Sequence, residues 1–148
     1  EVALGTLYRH YTSKDHLLLA ALTEQAEALR DRLALRPPEG SNPASRTADV
    51  LRRASRSLAR RPALTAALVT SLTTPESDTA PHKRDVELVL RDIITAAIGG
   101  SEINDPDGVV RTLGYVWLAV LSAWVGGTLG SDEMADDLET AARLLLSQ

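Results

Sequence analysis

The residues of this chain best suited to chemistry sit at its start. Thr6, Tyr8, Arg9 and His10 place a hydroxyl, a phenol, a guanidinium and an imidazole on one short segment. Such groups suit phosphate oxygens and base edges, and Gly5 lets the backbone approach closely. Residues 4 to 11 read as a short amphipathic helix with Leu7 and Tyr11 on one side. Lys14 stands beside the first turn of the next helix, where its charge and the exposed amides can hold one phosphate. A solvated polar turn fits the same residues, because Arg9 and Lys14 are offset by Glu1 and Asp15. From the residues alone, both readings stay open.

Other chemistries find little support. His10, His16 and His82 have no metal-ligand spacing such as His-x-x-x-His, so no metal is expected. No Ser-His-Asp grouping, glycine-rich phosphate loop or paired-carboxylate motif stands out, so neither enzyme activity nor a cofactor is expected. The chain contains no Cys. That excludes disulfides and thiolate chemistry, and it agrees with a cytoplasmic setting. A formal net charge of −4 gives no bulk basic signature, so any contact with nucleic acid must be local. Arg52, Arg53, Arg56 and Arg60 form a cluster opposite Leu51, Ala54 and Leu58, read either as a solvated face or as a seat for an anionic ligand tail or a DNA flank.

The elements that hold these residues are all helical. With 148 residues and 44% hydrophobic content, the chain can bury one substantial core, built from Leu, Ala and Val because aromatics are scarce and Phe is absent. Pro and Gly punctuate it at 36–43, 73–81, 99–107 and 126–130, and no segment between shows strand alternation. Ser13 caps a first long helix whose stripe is Leu18, Leu22, Ala26, Leu29 and Leu33, ending before Pro37. Asn42-Pro43 starts a second, with Thr47, Leu51, Ala54 and Leu58 on one side. Pro62 opens a third with Leu64, Leu68 and Leu72, and a fourth carries Val86, Leu90, Ile93, Ile94 and Ala97 up to Gly99. Asp105-Pro106 begins the most apolar helix, and a last one from Ser131 or Asp132 presents Met134, Leu138, Ala141 and Leu145.

The helix over 109–125 has two faces. Val110, Leu113, Trp117, Leu121 and Trp124 recur at three- and four-residue spacing, with two indoles stacked two turns apart. They are either plain core or, together with Leu64, Leu68, Leu90 and Ile94, the lining of a cavity for a small apolar ligand, with each indole N–H free to orient it. Tyr115, Ala119, Ser122, Ala123, Gly126 and Gly127 form a mostly small-residue face that another helix can approach closely. Residues 113–129 are apolar, but Gly114, Ser122, Gly126, Gly127 and Thr128 interrupt them and Arg111 precedes them, so no membrane partner is expected.

The run Gly5-Thr6-Leu7-Tyr8-Arg9-His10-Tyr11-Thr12-Ser13-Lys14-Asp15-His16-Leu17 closely resembles the end of the helix-turn-helix in TetR-family repressors, where the recognition helix leads into the ligand domain. The resemblance implies an all-α fold: a truncated helix-turn-helix head over 1–12, then a helical ligand-binding and dimerisation domain over 13–148. It implies that Gly5 and Thr6 lie at the groove-facing start of the recognition helix, that Tyr8 and His10 contact phosphate or base edges, that Arg9 reads bases and that Lys14 clamps the backbone. Tyr11 departs mildly from the family's more usual Phe. The chain opens inside the motif, without the helices that support a recognition helix, so by itself it is not expected to bind DNA. The family's pairing of its last two long helices implies a homodimer through Tyr115, Ala119, Ser122, Gly126, Met134, Leu138, Ala141 and Leu145, reading palindromic operator DNA. Residues 60–68 and 116–124 resemble the actinobacterial repressors of cholesterol and steroid catabolism, which implies a steroid-derived acyl-CoA effector. Regulation of an efflux or other catabolic operon, or a helical binding protein with no DNA role, are the alternatives.

Overall fold

Residues 13–75, 79–100 and 103–147 of the computed structural model are described, and within them the chain forms six helices and no strand. α1 (Lys14–Leu35) starts where Ser13 Oγ accepts the His16 N–H at 3.2 Å. Its inward face is Leu19, Leu22, Ala26 and Leu29, while Leu18 and Leu33 pack only partly. The expected stripe is therefore rotated slightly, because Leu19 lies at the crossing with its neighbours.

α2 (Pro43–Ala59) opens on a reciprocal cap. Asn42 Oδ1 accepts the Ser45 N–H at 2.9 Å, and Ser45 Oγ accepts the Asn42 N–H at 3.3 Å. α3 (Pro62–Thr73) follows after a tight corner, which Thr65 braces by donating its hydroxyl to the Leu58 carbonyl at 2.7 Å. α4 (Ala80–Ile98) ends at Gly99, whose φ of 72° suits glycine. Arg46 of α2 reaches that end, donating through Nε to the Ala97 carbonyl and through Nη2 to that of Ile98, both at 2.9 Å. Two carbonyls that the helix leaves without a partner are thus satisfied.

α5 (Pro106–Val125) starts from Asp105, a non-glycine residue at φ 53°. Its carboxylate accepts the Gly108 N–H at 2.9 Å, and a Cβ on Gly108 would lie 2.1 Å from Asp105 Oδ2. The cap therefore needs glycine at 108. α6 (Ser131–Leu146) closes the bundle.

α2 runs through the centre, against α6 on one side and α4 on another. α1 lies across α4 and α3, and α5 packs on α6, α3 and α4. Met134 and Leu138, placed by sequence on a pairing face, are turned inward at 2% and 1% exposure, because α6 needs them to seal against α2. Ala141 and Leu145 are half-buried beside them, and the large apolar residue that α6 exposes is Leu144, at 70%. The arginine cluster divides. Arg52 joins α2 to α6 through Glu139 at 3.0 Å, and Arg53 pairs with Asp49 at 2.6 Å, while Arg56 and Arg60 stay exposed. α5 is long and apolar enough by length and composition to cross a membrane, yet only 33% of its most apolar window is buried within the chain. The rest of it faces a cavity or lies open.

Candidate ligand cavity

The middle of the bundle is hollow. A cavity of about 420 Å³ lies between α1, α2, α3, α4 and α5. Leu68, Leu90, Ile94, Leu113, Trp117 and Leu121, six of the residues that sequence proposed as a lining, surround it. Leu64 and Trp124 do not. Leu64 sits in the first turn of α3, partly packed at the edge of the core. Trp124 shares the side of Trp117, but seven residues carry it roughly 10 Å along the axis. There it passes the end of the cavity and donates Nε1–H to Ser131 Oγ at 3.2 Å.

Trp117 is also committed within the chain. Its Nε1–H donates to Ser55 Oγ at 3.1 Å, and Ser55 is itself buried. Both indole donors are thus engaged, and Trp117 offers the cavity its apolar ring. Because the walls are mostly hydrocarbon, an occupant would be held by burial of apolar surface rather than by directed bonds.

Several lining residues escaped the sequence reading. Leu22 and Leu29 of α1, Val50, Ala54 and Leu58 of α2, and Val69 and Leu72 of α3 all face the hollow. Their spacing marked them as inward-facing, but inward-facing core and inward-facing cavity wall are the same pattern on a helix. The polar residues at the rim are Lys83, Glu87 and Arg91 from α4, with Asp107, Arg111 and Tyr115 from α5. Arg91 and Asp107 form an ion pair across the two helices. Tyr115, expected on a pairing face, is 66% exposed and stands at this rim. Ala119 and Gly126 are exposed and Ser122 half-buried along the same outward side of α5.

α1 links this cavity to the start of the chain. Gly5, Thr6, Tyr8, Arg9 and His10 lie outside the described residues, and Lys14 is exposed in the first turn of α1. In that turn Ser71 of α3 donates its hydroxyl to Asp15 Oδ1 at 2.5 Å, and the rings of His16 and His82 lie 4.7 Å apart. The other end is anchored by Arg53, which donates to the carbonyls of Arg36 at 2.9 Å and Pro37 at 3.4 Å. Asp49, paired with Arg53, also accepts the Glu39 N–H at 3.0 Å. The helix is thus tied at both ends, and its middle forms one wall of the hollow.

The chain's likeness to known proteins agrees with this arrangement. Residues 40–145 match the model of the tetracyclin repressor-like, C-terminal domain. The protein named HTH-type transcriptional repressor KstR from Rhodococcus jostii is 32% identical over 147 residues, covering 99% of this chain and 68% of that protein. Proteins of the same name from Mycobacterium tuberculosis and Mycolicibacterium smegmatis are 30% and 31% identical over 150 residues, with 99% of this chain covered in each case and 67% and 72% of theirs. The crystal structure of a TetR transcriptional regulator from Rhodococcus sp. RHA1 superposes with a TM-score of 0.85 at 31% identity, over 98% of this chain and 78% of that one. Its relatives make it a regulator of transcription rather than an enzyme, and the chain belongs to the TetR family.

Proposed function

We propose that residues 13–148 are the sensing and pairing part of a ligand-released transcriptional repressor, and that residues 1–12 end its DNA-reading head. The effector is a small apolar molecule, and a steroid-derived catabolite or its acyl-CoA thioester suits the reading best. One observation carries it: a 420 Å³ apolar hollow of which α1, the helix leading from the head, is itself a wall through Leu22 and Leu29. That volume falls within the range of roughly 300–1,000 Å³ usual for small-molecule sites.

An occupant pressing on Leu22 and Leu29 favours a different tilt of α1. Arg53 holds the carboxyl end of the helix, so the movement is greatest at Lys14, beside the head. Two heads in a homodimer then stand at the wrong separation for palindromic half-sites, and the operator is released. In this reading Gly5, Thr6, Tyr8, Arg9 and His10 meet the groove and Lys14 a backbone phosphate, and the protein works in the cytoplasm, where the DNA lies. Tyr115, Ala119, Ser122 and Gly126 of α5, with Ala141 and Leu145 of α6, contribute to the two-fold interface.

The test is operator binding by the protein with its helix-turn-helix complete, with and without a sterol side-chain acyl-CoA. Release at micromolar ligand is expected. Operator affinity that no apolar effector changes would overturn the reading.

A further inference from the structure

The slot between α4 and α5 carries two matched rows of side chains. Lys83, Glu87 and Arg91 follow one another at four-residue spacing on α4, and Asp107, Arg111 and Tyr115 do so on α5. All six line the cavity. Four-residue spacing keeps each row on one side of its helix. The chain turns back between Ile98 and Pro106, and the Arg91–Asp107 ion pair fixes the register of the two rows near that turn. One helical turn farther from it, Glu87 on α4 stands in register with Arg111 on α5. That second pair is not made: among the described residues neither Glu87 nor Arg111 has an ion-pair partner. Farther still, Lys83 is drawn aside to the Thr74 carbonyl of α3. The two helices touch only sparsely, and Leu90, Ile94, Val110 and Trp117 lie behind the slot.

We propose that this slot is the entrance to the cavity, joined at one end by Arg91–Asp107, and that Glu87 and Arg111 close it as a second ion pair when the cavity is filled. The proposal rests on the reading of the hollow as a ligand site. While the slot holds water, a Glu–Arg attraction across it gains little, because both ions are well solvated. An apolar occupant drives that water out from behind the pair. The same two charges then attract more strongly, since the medium between them screens them less. Closure is thus coupled to occupancy without contact between the occupant and either charge.

Nile red, a neutral apolar dye, serves as the probe. In R111E two like charges face each other across the slot, so dye release is expected to be at least fivefold faster than in the wild-type protein. The double swap E87R/R111E restores the slower release. Because the chain has no Cys, E87C/R111C carries the only two thiols. Bridging them with dibromobimane, which becomes fluorescent on reaction with both, is expected to slow dye uptake at least tenfold relative to the unbridged variant. Failure of the bimane to bridge, or a bridged protein that takes up dye at the unbridged rate, would overturn the entrance. Release unchanged in R111E, or not restored by the double swap, would overturn the closing pair. Absence of any dye binding by the wild-type protein would instead strike at the ligand-site reading itself.

Discussion

Trp117 shows how one side chain divides its work between stability and binding. Its ring faces the hollow while its N–H is held by buried Ser55. Ser55→Ala leaves that donor in a largely apolar setting, at a cost of about 1–3 kcal/mol. A lower urea midpoint with an altered tryptophan emission is the expected outcome. Ala54 stands beside Ser55 and lines the cavity, so Ala54→Phe fills space that a ligand would need. That variant is expected to stay folded by circular dichroism and to lose apolar dye binding at least tenfold, because a cavity tolerates added volume better than a filled core does. At Gly108 the opposite holds, since an added methyl collides with the Asp105 cap. Gly108→Ala is expected to lower stability by about 0.5–2 kcal/mol, the usual range for a lost helix cap, read as a drop in thermal midpoint.

Among the elements, α1 bears most on regulation. Its carboxyl end is pinned by Arg53 to two backbone carbonyls, and its amino end is tied more lightly, through Ser71 and the His16–His82 contact. Because α3 supplies both Ser71 and the cavity residues Leu68 and Leu72, that hydroxyl connects ligand wall to head. Ser71→Ala is expected to preserve operator affinity in the complete protein while weakening ligand-driven release about fivefold or more, within the usual range of coupling energies. Operator titrations at fixed effector concentrations measure this, and full release in the variant would remove Ser71 from the path. The caps that set these elements were legible in advance. Ser13, Asn42 and Asp105 all cap the helices that sequence assigned to them.

At the scale of the whole molecule, the open outward side of α5 matters most. Tyr115, Ala119 and Gly126 are exposed there, and Leu144 of α6 is exposed as well. Stable interfaces between copies need a well-packed apolar centre, and small residues allow two helices to approach closely. In a two-fold interface each substitution occurs twice, so Ala119→Glu would bury two like charges close together. Sedimentation is expected to show a dimer for the wild-type protein and predominantly monomer for Ala119→Glu, with helix content unchanged. A dimer that survives Ala119→Glu would place the interface elsewhere.

The sequence by itself determined the helices, their starts and stops, and the inward side of each, because caps, breakers and 3.6-residue periodicity act locally. It also determined the family, through a motif at residues 5–17 whose own structure lies outside the described residues. What each inward side meets was decided only by tertiary packing. Leu22 and Leu121 face the hollow while Met134 and Leu138 seal against α2, although all four carry the same signal of apolar residues at helical spacing. The physical reason is that burial free energy depends on area removed from water and is blind to whether the neighbouring space is filled. A cavity is a shortfall in packing among five helices, and no single helix encodes it.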